Sequence, residues 1–450
     1  MKAMKYQINN KILYTFVSAV IILSGTFLAI KYATGSRITS DGIIANTGML
    51  SANSFPPGAQ VFVDDKLMTA TDETVNLEPG TYSIRISKAG YSPWSKRIVI
   101  EEQHVVQTNA QLFPSAPNLT ALTLVGAENL STSPDGQKII YYTASSSAKE
   151  KNGLHLLNLS GNLNPLQRES KQLSTDSKVI DLSKADFIWS PDSNEVMVVN
   201  DNIEVMLTVD KKHNFDSLKS IRYEKKETLR SWEEEMYLRE RQYLAKFPEE
   251  IIKIATTSAK NVYISPDKKR LLYTASHSTA LPNNIITPPP ASSTEPESRQ
   301  LEPEKIYVYD SEEDKNFLIG ENGEMNNQYS KTLLALDLSQ IKPIQLEASP
   351  SAFQKLQGDT IVDTAMMFNT YHNSLRLNNY QWFPDSKHIL YIENNKVMIM
   401  EYDGTNRTNI YSGPFANSFV YPWPDGSKLV ILTSFSPDSA YNLYSIELKR

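Results

Sequence analysis

Ser133-Pro134-Asp135-Gly136, running into Lys138-Ile139-Ile140-Tyr141, decides the fold, because the chain repeats it. Ser190-Pro191-Asp192 runs into Glu195-Val196-Met197-Val198, and Ser265-Pro266-Asp267 into Arg270-Leu271-Leu272-Tyr273. Phe383-Pro384-Asp385 runs into His388-Ile389-Leu390-Tyr391, and Trp423-Pro424-Asp425-Gly426 into Lys428-Leu429-Val430-Ile431. Proline fixes φ near −65° and suits the second position of a tight turn. The aspartate beside it bonds backbone N–H groups two residues on. Each turn therefore has a mechanism, and the β-branched, aromatic or leucine residues after it suit a buried strand.

Apolar strand ends precede the turns, as in Phe187-Ile188-Trp189, Val262-Tyr263-Ile264 and Tyr380-Gln381-Trp382. Further strands follow, at Leu154–Leu159, Ile203–Thr208, Ile306–Tyr309, Val397–Tyr402 and Leu443–Leu448. Strand, turn, strand, turn, strand is a meander that cannot bury both faces alone. Several meanders stacked radially bury them all, as in a β-propeller. Chance turns in an ordinary β-sandwich are the competing reading, and the context shared around each turn argues against it. Pro384 and Pro424 lie 40 residues apart, the size of a four-stranded blade. The other spacings are longer and require insertions. The pattern resembles the repeat of TolB-type and related propellers from about Leu119 onward. That resemblance implies blade architecture and says almost nothing of the ligand.

The chain has 450 residues, a net charge of −6 and a pI near 5.7, so nothing points to a nucleic-acid partner. It has no cysteine, which excludes disulfides, thiolate metal sites, a catalytic thiol and a lipidated cysteine anchor. Residues 1–11 carry Lys2, Lys5 and Lys11 and no acid. Ile12 to Ile30 is an uncharged run of 19 residues, close to the roughly 30 Å hydrocarbon thickness at 1.5 Å per residue. The run exceeds a cleavable apolar region and lacks a small-x-small site before Lys31, so it is expected to be an uncleaved anchor. The lysines place the N-terminus in the cytoplasm and the bulk of the chain outside. Residues 31–50 read as a linker.

Residues 51–114 read as a small β-domain, with alternation at Gln60–Asp64 and Thr81–Ser87. Pro56-Pro57-Gly58-Ala59, Asp64-Asp65, Leu77-Glu78-Pro79-Gly80-Thr81-Tyr82 and Ala89-Gly90-Tyr91 resemble the landmarks of a PEGA domain. Met68-Thr69-Ala70-Thr71 departs from the Gly-x-Thr-Pro usual there. The resemblance implies an extracytoplasmic β-sandwich that binds or spaces. Gly58, Gly80 and Gly90 are expected at positive φ in tight turns.

Residues 115–450 make up the expected propeller, with a helical insertion near 211–254 and a disordered proline-rich loop near 281–304. In the insertion, Leu229, Trp232, Met236, Tyr243 and Phe247 form one apolar stripe ended by Pro248. It is expected to pack on the propeller, a partner-binding helix being the alternative. Pro288-Pro289-Pro290 marks the loop. Residues 311–379 are the least legible, and a sixth blade, with strands at Lys331–Leu338 and Ile344–Leu346, would have to lie there. The fold class is thus all-β: an N-terminal transmembrane helix, a PEGA-like β-sandwich and a propeller of five to six blades.

No nucleophile elbow, zinc motif or phosphate loop occurs. His104, His155, His213, His277, His372 and His388 are scattered singly. The turn aspartates read as turn caps rather than calcium ligands. Trp189, Trp382 and Trp423 read as packing between blades. No catalytic, cofactor-binding or metal-ligating residue is assigned and no cofactor is expected. The expected role is a membrane-anchored extracytoplasmic binding or scaffold protein whose propeller faces an envelope protein or polysaccharide. The alternative is a propeller enzyme acting on surface glycans or peptides through carboxylates at the central face.

Overall fold

A computed structural model describes residues 10–33, 36–38, 44–160, 170–200, 203–287, 293–321, 380–416, 419–436 and 439–449. The chain divides into two compact units, Met1–Leu112 with Pro290–Glu295, and Phe113–Pro289 with Pro296–Arg450.

In the first unit, helix α1 (Asn10–Ala33) has no acid in its first turn. Leu13–Ile30 is long and apolar enough to cross a membrane, and none of it is buried, so α1 is a candidate membrane anchor or signal sequence. A four-stranded antiparallel sheet (Lys66–Ala70, Gln60–Val63, Gly80–Ser87, Trp94–Ile100) faces a smaller one built on Gly48–Ala52. Leu50, Val61, Ile84, Ile86 and Ile100 fill the space between. Asp64 and Asp65, at φ 46° and 63°, form the two-residue turn that joins Gln60–Val63 to Lys66–Ala70. Gly58 and Gly90 take positive φ as expected, but Gly80 does not: it opens a strand. Thr71, in the departure from the PEGA pattern, accepts from Ala59 N at 2.9 Å and from Ser54 Oγ at 2.8 Å, which ties that strand's end into the core.

Among the described residues, the second unit holds five sheets of three or four strands with the repeats at their heart, besides one short strand pair. The first consists of Glu128–Thr132, Lys138–Thr143, Gly153–Asn158 and Lys171–Thr175. The second has three described strands, Asp186–Trp189, Glu195–Asn200 and Ile203–Thr208. The third is Ala259–Ile264, Arg270–Ala275, Lys305–Asp310 and Lys315–Glu321. The fourth is Tyr380–Trp382, His388–Glu393, Lys396–Glu401 and Thr408–Tyr411. The fifth, Val420–Pro422, Lys428–Thr433 and Asn442–Glu447, takes its outer strand from Leu119–Ala121. Thr120 there pairs with Ser445, so the two ends of the unit share one sheet.

Both faces of the middle strands are buried, which explains their unbroken apolar runs. Ile140 and Leu154 of the first sheet pack on Trp189 and Val198 of the second. Leu272 and Val308 of the third meet Ile389 and Met400 of the fourth. Leu390 and Ile399 of the fourth meet Leu429 and Ile431 of the fifth. Val430 and Leu443 of the fifth meet Ile139 and Leu157 of the first. One junction remains, between the second and third sheets, and helices fill it. Helix α2 (Lys225–Leu244) lays Leu229 and Trp232 on Ile188 and Met197 of the second sheet. Its end, with Phe247 and helix α3 (Glu249–Thr257), covers Leu271, Tyr273 and Tyr309 of the third. The ring is a β-propeller of five described sheets with a helical pair in one position.

Two expectations need amendment. Pro248 ends no single long helix; it precedes α3, whose Ile251 and Ile254 are buried. The stretch 281–304, expected as a disordered loop, has one short strand, Gln300–Leu301, which pairs with Thr279–Ala280 just before it, and buries Leu281 and Leu301 in the core of the third sheet. The strands expected at Lys331–Leu338 and Ile344–Leu346 lie outside the described residues. The third and fourth sheets pack on each other directly.

The Pro-Asp turns link sheet to sheet. Asp135 N donates to Ser193 Oγ at 3.1 Å, and Asp267 N to Ser386 Oγ at 2.9 Å. Both serines are buried. Replacing Ser193 or Ser386 by Ala is expected to lower stability by about 0.5–1.5 kcal/mol each, because the Asp135 or Asp267 N–H loses its acceptor. The thermal unfolding midpoint of the two variants checks this, and Ser217→Ala, at the exposed end of the short 3-10 helix Phe215–Ser217, should leave it nearly unchanged.

Candidate functional site

Four of the turns that hold the ring together also border an opening. In the three serine-led turns, Ser133, Ser190 and Ser265 each donate Oγ–H to the aspartate two residues on, at 2.5–2.6 Å. The same hydroxyls accept from the N–H five residues on, at 2.9 Å in each. Each turn is closed by the N–H of its fourth residue reaching back to its first carbonyl, as from Gly136 to Ser133 and Gly426 to Trp423. That fourth residue has positive φ in all five: Gly136 74°, Ser193 61°, Lys268 65°, Ser386 61° and Gly426 66°.

What occupies the fourth position follows from its neighbour. A Cβ on Gly136 would stand 3.1 Å from the Tyr421 hydroxyl, and one on Gly426 would stand 3.0 Å from the Phe383 ring. Glycine leaves room there for the aromatic side chain that closes in. Ser193 and Ser386 meet a backbone N–H instead and accept from it. Lys268 meets helix α2, its ammonium 4.2 Å from the Tyr243 ring centre. Arg239 of α2 in turn donates to Pro191 O at 3.1 Å.

Within this circle lies a cavity of about 410 Å³. Its walls are the inner strand ends Tyr263-Ile264, Tyr380-Gln381-Trp382 and Tyr421-Pro422, with turn residues Pro134, Asp135, Gly136, Pro266, Pro384 and Pro424. The lining is aromatic and proline-rich. Trp382 Nε1 donates to Tyr263 O at 3.1 Å, and Gln381 Nε2 to Val420 O at 2.9 Å. Asp135 is the one carboxylate on the wall among the described residues. Its Oδ1 accepts from Ser133 and from Gln137 N, and its Oδ2 takes Lys138 Nζ at 3.0 Å. Burial pushes its pKa up, and these three donors outweigh that, so it titrates below its usual 3.8. Tyr421 is 5% exposed, and its hydroxyl makes no hydrogen bond among the described residues. Burial, with the Asp135 charge beside it, raises its pKa, so it stays a protonated donor.

The other singled-out residues lie elsewhere. Trp189 is fully buried between the first and second sheets, with Nε1 on Ser131 Oγ at 3.2 Å. Trp423 is buried between the fifth and first. His388 Nδ1 sits 2.7 Å from Asp385 Oδ2, edge-on to Phe113 and Phe383. Among the described residues no three His, Asp or Glu side chains gather as a metal site. Of the wall tyrosines, Tyr263 and Tyr380 stand in the sequence as strand ends, and Tyr421 was missed. Their position just before a Pro-Asp turn was the available signal.

Comparison with known proteins follows this division. Residues 47–116 match the PEGA domain, and that stretch is a PEGA domain. No curated protein matches the chain. Among solved structures, the chain is similar to "the structure of putative TolB from Agrobacterium tumefaciens", with 12% identity, 71% of this chain and 78% of that one covered, and a TM-score of 0.20. It is also similar to TolB from Acinetobacter baumannii, with 10% identity, 82% and 61% covered, and a TM-score of 0.19. A eukaryotic initiation factor follows at 11% identity, 92% and 75% covered, and a TM-score of 0.17. The propeller assignment rests on the strand pairing and shared cores described above.

Glu240 on α2 lies between Arg239, bound to the second sheet's turn, and Tyr243, under the third's. Burial raises its pKa above the usual 4.5, against the pull of Lys268 and Arg239. A carboxyl raised in the folded state costs stability above its folded pKa and nothing below its unfolded one. Glu240→Gln is therefore expected to raise the thermal midpoint at pH 7, with the gain vanishing below about pH 4.5. A midpoint series from pH 4 to pH 8 on both forms checks the sign.

Proposed function

We propose that the protein is a membrane-anchored extracytoplasmic binding protein that presents its propeller cavity to an envelope protein or polysaccharide. The observation that carries this is the cavity itself, an aromatic and proline-walled opening where four of the five sheets converge. Residues 12–30 serve as the anchor, residues 1–11 stay in the cytoplasm under the pull of Lys2, Lys5 and Lys11, and residues 31–50 link the anchor to the β-sandwich. The sandwich of residues 51–114 acts as a spacer, and residues 115–450 do the binding. The PEGA match supports the extracytoplasmic placement. Binding is favoured over catalysis because a glycosidase-type reaction needs two carboxylates facing one space. Among the described residues Asp135 is the single acid on the wall, and both its oxygens are engaged.

Two measurements test this. Fractionation of intact cells is expected to leave the chain in the membrane until detergent releases it, with the large domain open to added protease once any outer barrier is permeabilised. Recovery in the soluble cytoplasm would overturn the anchored reading. A photo-crosslinking residue in place of Ile264, on the cavity wall, is expected to form a discrete adduct in living cells. The same probe at the exposed Ser217 should not. Equal labelling at both positions removes the cavity as the binding site.

A further inference from the structure

The cavity has an electrical sign. Four aromatic side chains, Tyr263, Tyr380, Trp382 and Tyr421, and one carboxylate, Asp135, stand on its wall, with no lysine, arginine or histidine among the described residues. Aromatic rings carry negative faces and attract cations. The wall's two side-chain nitrogens, Trp382 Nε1 and Gln381 Nε2, donate to the backbone carbonyls of Tyr263 and Val420, so neither sets a positive pole against the rings.

The cation that balances Asp135 stands off the wall. Lys138 Nζ lies 3.0 Å from Asp135 Oδ2, and Ser193 O accepts from it at 3.1 Å. Ser193 closes the turn of the second sheet, from which no described residue lines the cavity. The pair is thus a dipole with its negative end at the opening. Its charge is felt on the wall, where it adds to burial in raising the Tyr421 pKa.

From this, and resting on the reading of the cavity as a binding site, we infer that its occupant is a lysine side chain of a protein partner, with the ammonium among the wall rings and its stem against the prolines. Asp135 acts through its field, since both its oxygens already accept hydrogen bonds. The rest of the wall, Ile264 and five prolines, suits the four-carbon stem of lysine, which packs on apolar surface while its head stays charged. An acidic segment would bring like charge to Asp135 and to the ring faces. An uncharged segment would gain nothing from either.

The test is titration of the full chain in non-ionic detergent, by calorimetry and tryptophan fluorescence, with end-blocked Gly-Gly-Lys-Gly-Gly. The same peptide with norleucine, which keeps the stem and lacks the ammonium, is the uncharged control, and glucosamine is the second source of an ammonium. The lysine peptide is expected to bind saturably and roughly tenfold tighter than the norleucine peptide. Asp135→Asn should remove most of that preference. Lys138→Gln, which bares Asp135 and leaves the wall intact, should tighten the lysine peptide roughly three- to tenfold. A purely structural role for the pair would make both variants weaken binding. Lys211→Gln, an exposed lysine whose loss changes the net charge equally, should leave the affinity unchanged. Equal affinity for the lysine and norleucine peptides overturns the inference, as does lysine binding that the Asp135 and Lys138 variants leave alone. Binding of glucosamine without the lysine peptide also overturns it, while leaving the cavity a cation site. No binding of any probe overturns it too, and the in-cell crosslink at Ile264 reports separately on whether the cavity is used.

Discussion

The fourth residue of each Pro-Asp turn is the joint on which this ring depends. Each is held in the left-handed region, where a residue with a side chain is strained by roughly 1–2 kcal/mol. That strain is met by a contact with the preceding member of the ring. Gly136 admits Tyr421, Ser193 accepts from Asp135, Ser386 accepts from Asp267, and Gly426 admits Phe383. The carbonyls of the two serines take a second donor, Lys138 Nζ and Arg270 NH1, both at 3.1 Å. Apolar packing between sheets supplies most of the cohesion, but it has no direction. These joints fix how far each sheet rotates against the next.

Seen this way, the helical pair is a substitute with the same connections. Arg239 binds the turn of the second sheet through Pro191 O, and Tyr243 receives the fourth residue of the next turn, Lys268. The stripe of α2 splits between two cores rather than serving one, with Leu229 and Trp232 on one side and Leu244 on the other. A helix about 10 Å across occupies a junction much as a sheet layer does. It brings Glu240 with it, a carboxyl that burial makes reluctant to ionise.

Sequence made the turns, the apolar strands and the β-sandwich legible because each is set by neighbours a few residues away. Proline and aspartate mark the turns, unbroken apolar runs mark strands buried on both sides, and Asp64-Asp65 marks a two-residue hairpin. The joints were not legible, since Asp135 and Ser193 are 58 residues apart and Asp267 and Ser386 are 119 apart. The cavity is built from strand ends drawn from across the unit, so no local pattern announces it. Composition misled at 281–304, where Leu281 and Leu301 anchor a polar, proline-rich stretch to a core. Gly80 was read as a turn glycine from the Pro79 before it, yet its backbone is that of the strand it opens.

The pairing of Leu119–Ala121 with Asn442–Glu447 sets a timetable for biosynthesis. Thr120 O waits for Ser445 Oγ, 325 residues later in the chain. At about 5–20 residues per second a ribosome needs tens of seconds to supply the partner. Until then the fifth sheet does not exist, the first lacks its neighbour, and the ring stays open. The same delay leaves strand edges of the unfinished ring unpaired and open to association with other chains.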